Sequence, residues 1–511
     1  MERLAAAINL EVLLAWIQLS NIPPLQKMRV TKAIVALYRY IFPLKRPSER
    51  RSKDGEGTKK AEKPKGKGRG RRGAGDFPNA PRKKHSLEDV KPGDPCLCGG
   101  VFGSQTFLES LQFVALPPIQ VVVNQCECVR CSSCNLVRRA KLPDSAAKRH
   151  HPTAISMVAL MKYGSGFPFY RMETFMGYFG LALRASTQFE MVAAGIPVFE
   201  PVYDELQKQS ALASVLQGDD TSARITNFER PEEFAKRTGV FTTGILAILG
   251  SYKIGIFKTG AKHTGENVAA ALELRPEGQP PPIFMADGLG RNFPKVVEQA
   301  TKVANCLPHG RRYFVDLVDA FPEQCKYVLD ALGTVFFNEA LAKAHELSPE
   351  DRLFFHQVFS QPIMDDLKLH MQRELDNNIA EANGRLGKAF RYMLDRWQRL
   401  TLFLREPGAP LENNAVERQL KKAVLHRKNS YFYRTNRGAK VGDIYMSLIY
   451  TCELNGVNAF EYLTELQNHA AEVRARPAEW MPWNFRDTIN HLLGIRDEHA
   501  PRGSPTELLA A

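Results

Sequence analysis

At 511 residues, 44% of them hydrophobic and 24% charged, the chain is too long for one compact core and too apolar for wholesale disorder. No uninterrupted apolar run reaches the ~18 residues that a bilayer-spanning helix needs. The opening stretch MERLAAAINLEVLLAWIQL carries acids at Glu2 and Glu11, which argues against a cleavable signal peptide and for a cytoplasmic protein.

Residues 3 to 41 read as two short helices broken at Asn21-Ile22-Pro23-Pro24, so 1–44 is taken as a helical N-terminal segment. The net charge of +14 is concentrated just beyond it. Between Lys45 and Lys84, sixteen Lys or Arg face five acids. The Lys59 to Gly75 stretch lacks the large apolar residues from which a core is built. Residues 45–90 are therefore a basic flexible linker, either a solvated spacer or an arm that neutralises phosphates.

Six of the nine cysteines fall close together: Cys96, Cys98, Cys126, Cys128, Cys131 and Cys134. Without a secretory signal, metal binding is favoured over a disulfide framework. Cys131-Ser-Ser-Cys134 is a knuckle whose thiolates can share one tetrahedral Zn²⁺, and Cys96-Leu-Cys98 supplies a second pair. Cys126 and Cys128 are rival ligands. The residues from Val101 to Val123 read as strands, so 91–140 is expected to be a zinc-ribbon-like DNA-binding domain. Cys306, Cys325 and Cys452 read as ordinary buried residues.

Residues 141–210 are mainly helical, with a break at Gly164-Ser165-Gly166-Phe167-Pro168. Val215 to Ile225 surrounds an acidic pair, Asp219-Asp220. Gly239–Gly250 and Tyr252–Gly260 read as two strands joined by a tight turn. A helix over Glu266–Leu274 follows, and Ile283 to Asp287 is a short buried strand ending in a carboxylate. Three strands, a helix and another strand is the order of an RNase H-like core, although periodicity alone does not select that fold. Residues 294–405 are largely helical, with Leu386, Phe390, Met393, Leu394, Trp397 and Leu400 on the apolar face of one long helix.

The segment Pro410-Leu-Glu-Asn-Asn-Ala-Val-Glu-Arg-Gln-Leu-Lys-Lys422 opens a helix for which Asn414 is an N-cap candidate. Glu417, three residues on, is then either the closing carboxylate of a capping box or a metal ligand. Arg418, Lys421 and Lys422 lie near one face, and Arg427 and Lys428 continue the positive charge toward a phosphate partner. His309, Arg311 and Arg312 mark either DNA-phosphate or active-site contacts, or a plain surface helix.

Together these blocks resemble a known family. The ordered set comprises Lys162-Tyr163 with Gly166-Phe-Pro168 and Tyr170-Arg171, Asp219-Asp220-Thr221, Thr259-Gly-Ala-Lys-His263 with Gly265-Glu-Asn267, and Met285-Ala-Asp287. It continues through Cys306-Leu-Pro-His-Gly-Arg-Arg312 with Phe314, the Glu417 segment, Arg427-Lys-Asn429, Leu454-Asn-Gly456 and Tyr462-Leu463. The chain is similar to transposases of the insertion-sequence sixty-six family, the TnpC-type DDE enzymes, over roughly residues 95 to 485.

The resemblance implies an α/β RNase H-like catalytic core with a large, mainly helical insertion, preceded by the zinc ribbon and the short helical N-terminus. The core is expected over 211–300 and 406–450, the insertion over 301–405, and a C-terminal helical segment and tail over 451–511. It further implies a DDE triad of Asp219, Asp287 and Glu417 holding Mg²⁺ or Mn²⁺, with Zn²⁺ at Cys96, Cys98, Cys131 and Cys134. The implied activity is metal-dependent DNA strand cleavage and strand transfer. The implied partners are DNA at element ends and target, other copies of the chain on DNA and helper proteins of the same element, with no membrane. Localisation would be cytoplasmic, at the nucleoid. Alternatives are a nuclease of the same core without strand transfer and an inert DNA-binding descendant. The sequence departs from the family at Asp219-Asp220-Thr221, where Asp-Glu-Thr is usual, leaving Asp220 a rival to Asp219. It departs again at Glu412-Asn413-Asn414, where Asp-Asn-Asn is usual, and at Cys96-Leu-Cys98, where CxxC is usual.

Overall fold

The structure, a computed structural model, describes residues 94–95, 100, 118–130, 132, 137–141, 149–181, 183–293 and 301–494. The N-terminal helical segment, the basic linker and Cys96, Cys98, Cys131 and Cys134 lie outside the described residues. From Ile119 onward the described residues belong to one unit, distinct from a unit spanning Phe42–Pro118.

A short hairpin comes first: β1 (Cys128–Arg130) pairs antiparallel with β2 (Val137–Arg139), Cys128 opposite Arg139. Its connection contains the Cys131-to-Cys134 knuckle. The strand expected to run into Val121, Val122 and Val123 is absent there. These valines are exposed and irregular, and among the described residues no strand pairs with them; the rest of that expected strand region, 101–117, lies outside the described residues.

Three helices follow, α1 (Pro152–Ala159), α2 (Phe169–Gly177) and α3 (Ala185–Ala211). The expected break after Gly164 is present, with Gly166 at φ +70°. The central sheet then forms from β3 (Val215–Ser222), β5 (Phe241–Leu249), β6 (Tyr252–Gly260), β7 (Ile283–Ala286) and β8 (Lys302–Asn305). Its order is β6-β5-β3-β7-β8. β5 is antiparallel to β3 and β6, while β7 is parallel to β3 and β8. A short ribbon beside it joins β4 (Ile225–Asn227) to β9 (Tyr433–Thr435) in parallel. This mixed five-stranded sheet with helices around it is consistent with an RNase H-like core. β8 falls inside the stretch read as helical, because four residues between helical patterns are too few to show a period of two.

Both faces of the sheet are covered, which is why β7 reads as an unbroken apolar run. Phe284 and Ala286 point into one core, with α1, α3, α12 (Asn436–Leu454) and α13 (Ala459–Asn468). Ile283 and Met285 point into the other, built with the helical insertion. That insertion comprises α5 (Leu307–Val315), α6 (Pro322–Ala344), α7 (Pro349–Phe359), α8 (Gln361–Asp376), α9 (Arg385–Asp395) and α10 (Trp397–Leu400). The single long helix expected from Leu386 to Leu400 is instead broken at Arg396, between α9 and α10. Both pieces still bury their apolar residues in the same core, Trp397 among them. Cys306, Cys325 and Cys452 are buried free thiols.

The outer strand β6 solves its edge problem through α12. Unpaired strand edges leave backbone N–H groups open to unwanted pairing. Here Thr259, Phe257, Gly255 and Lys253 donate their N–H groups to the side chains of Asp443 (2.7 Å), Ser447 (2.9 Å), Thr451 (3.1 Å) and Asn455 (3.1 Å). The match is geometric. Four helical residues rise about 6.0 Å and two strand residues about 6.6 Å, so a polar residue every four positions meets every second strand amide. Burial pushes the Asp443 carboxyl up to about 7, against the pull of its two Thr259 hydrogen bonds.

Candidate active site

β3 presents its two acids to opposite sides. The Asp220 carboxylate accepts from Thr243 Oγ1 at 2.6 Å and from the backbone N–H of Thr264 at 3.0 Å. Its other contact is with His263 Nδ1 at 3.1 Å. With a side chain only 3% exposed, Asp220 is a tie between β3, β5 and the start of α4 (Thr264–Leu272). Among the described residues Asp219 has a single hydrogen bond, its Oδ1 accepting from the N–H of Asp220 at 2.8 Å. The strand's alternation thus separates the rivals: one carboxylate is structurally satisfied and the other keeps free lone pairs.

Asp287 follows β7. The last paired positions of the parallel β3–β7 ladder are Gln217 and Met285, so Asp219 and Asp287 each stand two residues beyond them at the same level. The loop after Asp287 folds back onto its carboxylate, which accepts from the N–H of Leu289 at 3.1 Å and from the side-chain amide of the buried Asn292. Gly265 of α4 makes this possible. A Cβ there would meet backbone atoms of Arg291 and Phe293 at 2.8–2.9 Å.

The third acid arrives on α11 (Asn414–Ser430), which packs on β3 and β5. Its approach is close: a Cβ on Gly244, opposite Asp219 in the ladder, would lie 3.0 Å from Leu420 and 3.4 Å from Val416. Glu417 is the neighbour of Val416. The helix starts one residue earlier than expected, with Asn413 rather than Asn414 as its N-cap and no side-chain cap bond. The capping-box reading of Glu417 is thereby corrected, since its own N–H bonds to the Asn413 carbonyl and its carboxylate does not turn back. Asn413 instead ties the helix start to the core, donating its side-chain amide to the Gly218 carbonyl at 3.3 Å and its N–H to Cys306 Sγ at 3.3 Å. Beside Glu417, at 3.7 Å, lies Nε2 of His309 on α5.

The electrostatics follow from this gathering. Burial pushes the Asp219 carboxyl up to about 7, only partly offset by the hydrogen bond from Asp220. The negative charges of Asp287, Asp220 and Glu417 raise it further. The three sequence-predicted acids therefore share one field. Among the described residues no three His, Cys, Asp or Glu side chains converge into a ready-made metal cage. Even so, the donor set is all oxygen, suits a hard cation, and includes a carboxylate whose charge is costly without one.

The expected phosphate-facing cations are spread more widely. Arg418, Lys421 and Lys428 on α11 are exposed, as is Arg312 on α5, while Arg311 is half-buried. Lys422 is engaged by Glu453 at 2.8 Å, and Arg427 donates to Thr221 Oγ1 at 3.0 Å and to the Ser222 carbonyl at 2.7 Å, bracing the end of β3. Asn292 escaped the sequence reading, since it lies at no spacing from the acids that marks a role, and Asn413 entered it only as part of Glu412-Asn413-Asn414, without a role.

Residues 148–441 match the family described as Transposase IS66 family. The chain is also 25% identical to the uncharacterized protein y4hP of Sinorhizobium fredii (strain NBRC 101917 / NGR234), over 70% of this chain and 66% of that protein. A second protein of that organism, the uncharacterized protein y4jD, is 30% identical over 39% of each chain. A third, y4qI, is 26% identical over 37% of this chain and 35% of its own length. The chain spans less than two thirds of the length of these curated relatives. Among the described residues no helix is long and apolar enough to cross a membrane.

Proposed function

The chain belongs to the IS66 family of transposases, and from that premise we propose that it cuts and joins DNA strands at the ends of an insertion sequence through Asp219, Asp287 and Glu417. The observation that carries the reading is the placement of these acids: Asp219 and Asp287 stand at the same level beyond paired strands, and Glu417 lies on the helix packed against Gly244 opposite Asp219. Asp219, Asp287 and Glu417 are the residues that would hold two divalent cations, Mg²⁺ or Mn²⁺. Bound there, such ions would supply Lewis-acid stabilisation of charge at phosphorus and a more acidic attacking hydroxyl.

The chain's own groups do the rest. Asp220, tied to Thr243 and Thr264, holds β3 in place so that Asp219 faces the reacting strand. Asn292 and the N–H of Leu289 fix one oxygen of Asp287, leaving the other for a ligand. Arg418, Lys421, Lys428 and Arg312 offer exposed positive charge to DNA phosphates, which position a duplex without reading its sequence. Water as nucleophile would release a 3′-OH at the element end. That 3′-OH would then attack a target phosphodiester in line, without a covalent enzyme intermediate. Zinc at Cys96, Cys98, Cys131 and Cys134 belongs to the same proposal, as does the basic arm at Lys45–Lys84.

The test is Glu417→Gln, which keeps the shape of the side chain and removes its charge. DNA binding is expected to persist while cleavage of a labelled duplex carrying the element end is lost. Cleavage near the wild-type rate would return Glu417 to a structural role.

A further inference from the structure

A cavity of about 600 Å³ lies beyond the carboxylates, between the end of β6, the β4–β9 ribbon and the first turns of α12. This volume lies in the range of sites that enclose a small ligand. Its walls include Lys258, Lys262 and Arg437 together with Phe228 and Phe234. We propose that it is a nucleotide subsite that takes one unpaired nucleotide of a DNA strand, with phosphate on the three cations and base against the two rings. The inference rests on the DNA-processing reading above and names what a neighbouring region at the same end of the sheet, on the Asp220 side, would hold.

Lys258 is the first reason. It is half-buried, and no carboxylate lies within ion-pair distance of its ammonium among the described residues. Burial and the nearby charge of Lys262 lower the pKa of its ammonium, only partly offset by the charges of Asp443 and Asp204, so an anion beside it would favour the charged form. The neighbouring acids act on it only at a distance and form no ion pair with it among the described residues. Asp443 spends its carboxylate on Thr259, and Lys440 is occupied by Glu200. Glu233 is the wall's remaining acid, and it is exposed at the rim. Lys262 and Arg437 are exposed there too, placed to follow a strand's backbone.

The rings are the second reason. Arg230 lies over the Phe228 ring at 4.8 Å, and Arg237 at 4.7 Å and Lys262 at 5.8 Å lie over the Phe234 ring. Those arginines are themselves fixed, Arg230 by the carbonyls of Thr238 and Gly239, and Arg237 by both oxygens of Glu266. Rings held this way form stacking platforms, which accept any base.

Placement is the third. Thr259 in the cavity wall pairs with Thr242, and Thr242 with Thr221, two residues past Asp219. Two strand spacings are about 10 Å, so the cavity opens at the same end of the sheet as Asp219, with Lys258 on the Asp220 side, and a strand reaches from one to the other over that end. Asn267 closes the link from the other side. It lines the cavity and donates to Thr243 Oγ1 at 2.8 Å, and Thr243 in turn donates to Asp220.

The experiment uses the full chain and fluorescence anisotropy with three DNAs: a blunt duplex, the same duplex with an unpaired extension, and that extension made abasic. Stacking one base is worth about 1–3 kcal/mol, so wild type should prefer the base-bearing extension to the abasic one by roughly tenfold. Phe234→Ala should bring that ratio down to about twofold, whereas Lys258→Met, which keeps the aliphatic stem, should weaken both extensions severalfold relative to the blunt duplex. Free deoxynucleoside monophosphate should compete only weakly. Equal affinity of wild type for the base-bearing and abasic extensions would overturn the inference even if the variants fail to fold. So would an undiminished preference in folded Phe234→Ala, unchanged affinity for both extensions in folded Lys258→Met, or strong competition by the free nucleotide without any preference for the extension. Duplex binding without that preference would sink the cavity alone, whereas no binding to any of the three DNAs would sink the DNA-processing reading with it.

Discussion

Replacing Asp219 and replacing Asp220 should move stability in opposite directions, although the two residues are adjacent. Asp219 is an acid pushed from 3.8 to about 7 by burial and by the neighbouring carboxylates. Near pH 4 and below, folded and unfolded states are both protonated, and the group contributes nothing. Between about 4 and 7 the unfolded chain releases the proton while the folded one keeps it, so stability falls as pH rises and then levels off. A shift of about three units sets a ceiling of roughly 4 kcal/mol, and water reaching the half-exposed site reduces this to about 1–2 kcal/mol. Asp219→Asn should therefore melt above wild type at pH 8 in EDTA, with the gap closing toward pH 4. Asp220→Ala loses three hydrogen bonds and strands the Thr264 N–H, a cost of about 3–5 kcal/mol. In a domain this large that is roughly 5–10 °C of melting temperature. Thermal denaturation of the three proteins across pH, without divalent metal, makes the comparison. A destabilised Asp219→Asn together with an unaffected Asp220→Ala would mean the two acids have exchanged roles.

Other consequences are equally open to measurement. Ser447→Ala removes the acceptor of the Phe257 N–H on the covered edge of β6 and should cost about 1–3 kcal/mol in a denaturant titration, whereas a neutral result would mean that water replaces the hydroxyl. Gly265→Ala must displace the backbone at Arg291 and Phe293, and with it Asn292; DNA cleavage should fall at least tenfold while duplex affinity holds, and full activity would show that the loop's grip on Asp287 is dispensable. Elemental analysis of protein purified without chelator should find about one Zn²⁺ per chain, lost in the Cys131→Ser, Cys134→Ser double variant; absence of zinc from wild type would remove the ribbon.

Much of this architecture is legible because its signals are local. β5 and β6 are long, largely apolar runs that meet at Gly250, whose φ of +58° belongs to a tight turn. Asp219, Asp287 and Glu417 stand out only through the ordered family blocks around them, since one carboxylate at a strand end is ordinary. What escaped depends on tertiary partners. β8 is four residues long and becomes a strand because β7 offers it an edge. The break at Arg396 has no glycine or proline to announce it. The polar series Asp443, Ser447, Thr451 and Asn455 looks like a solvated helix face, yet it faces a strand edge. The cavity beside Lys258 is assembled from five separate segments, and spacing along the chain carries no trace of it.

The central claim, that Asp219, Asp287 and Glu417 form one strand-transfer site, is tested most directly by a joining assay. A pre-cleaved duplex bearing the element's 3′-OH end is incubated in Mg²⁺ with supercoiled target plasmid, and covalent joining is read by gel and sequencing. Wild type should join the ends, Asp219→Asn and Asp287→Asn should give no product while still binding the duplex, and EDTA should abolish joining. Joining by Asp219→Asn or Asp287→Asn at the wild-type rate would contradict the account.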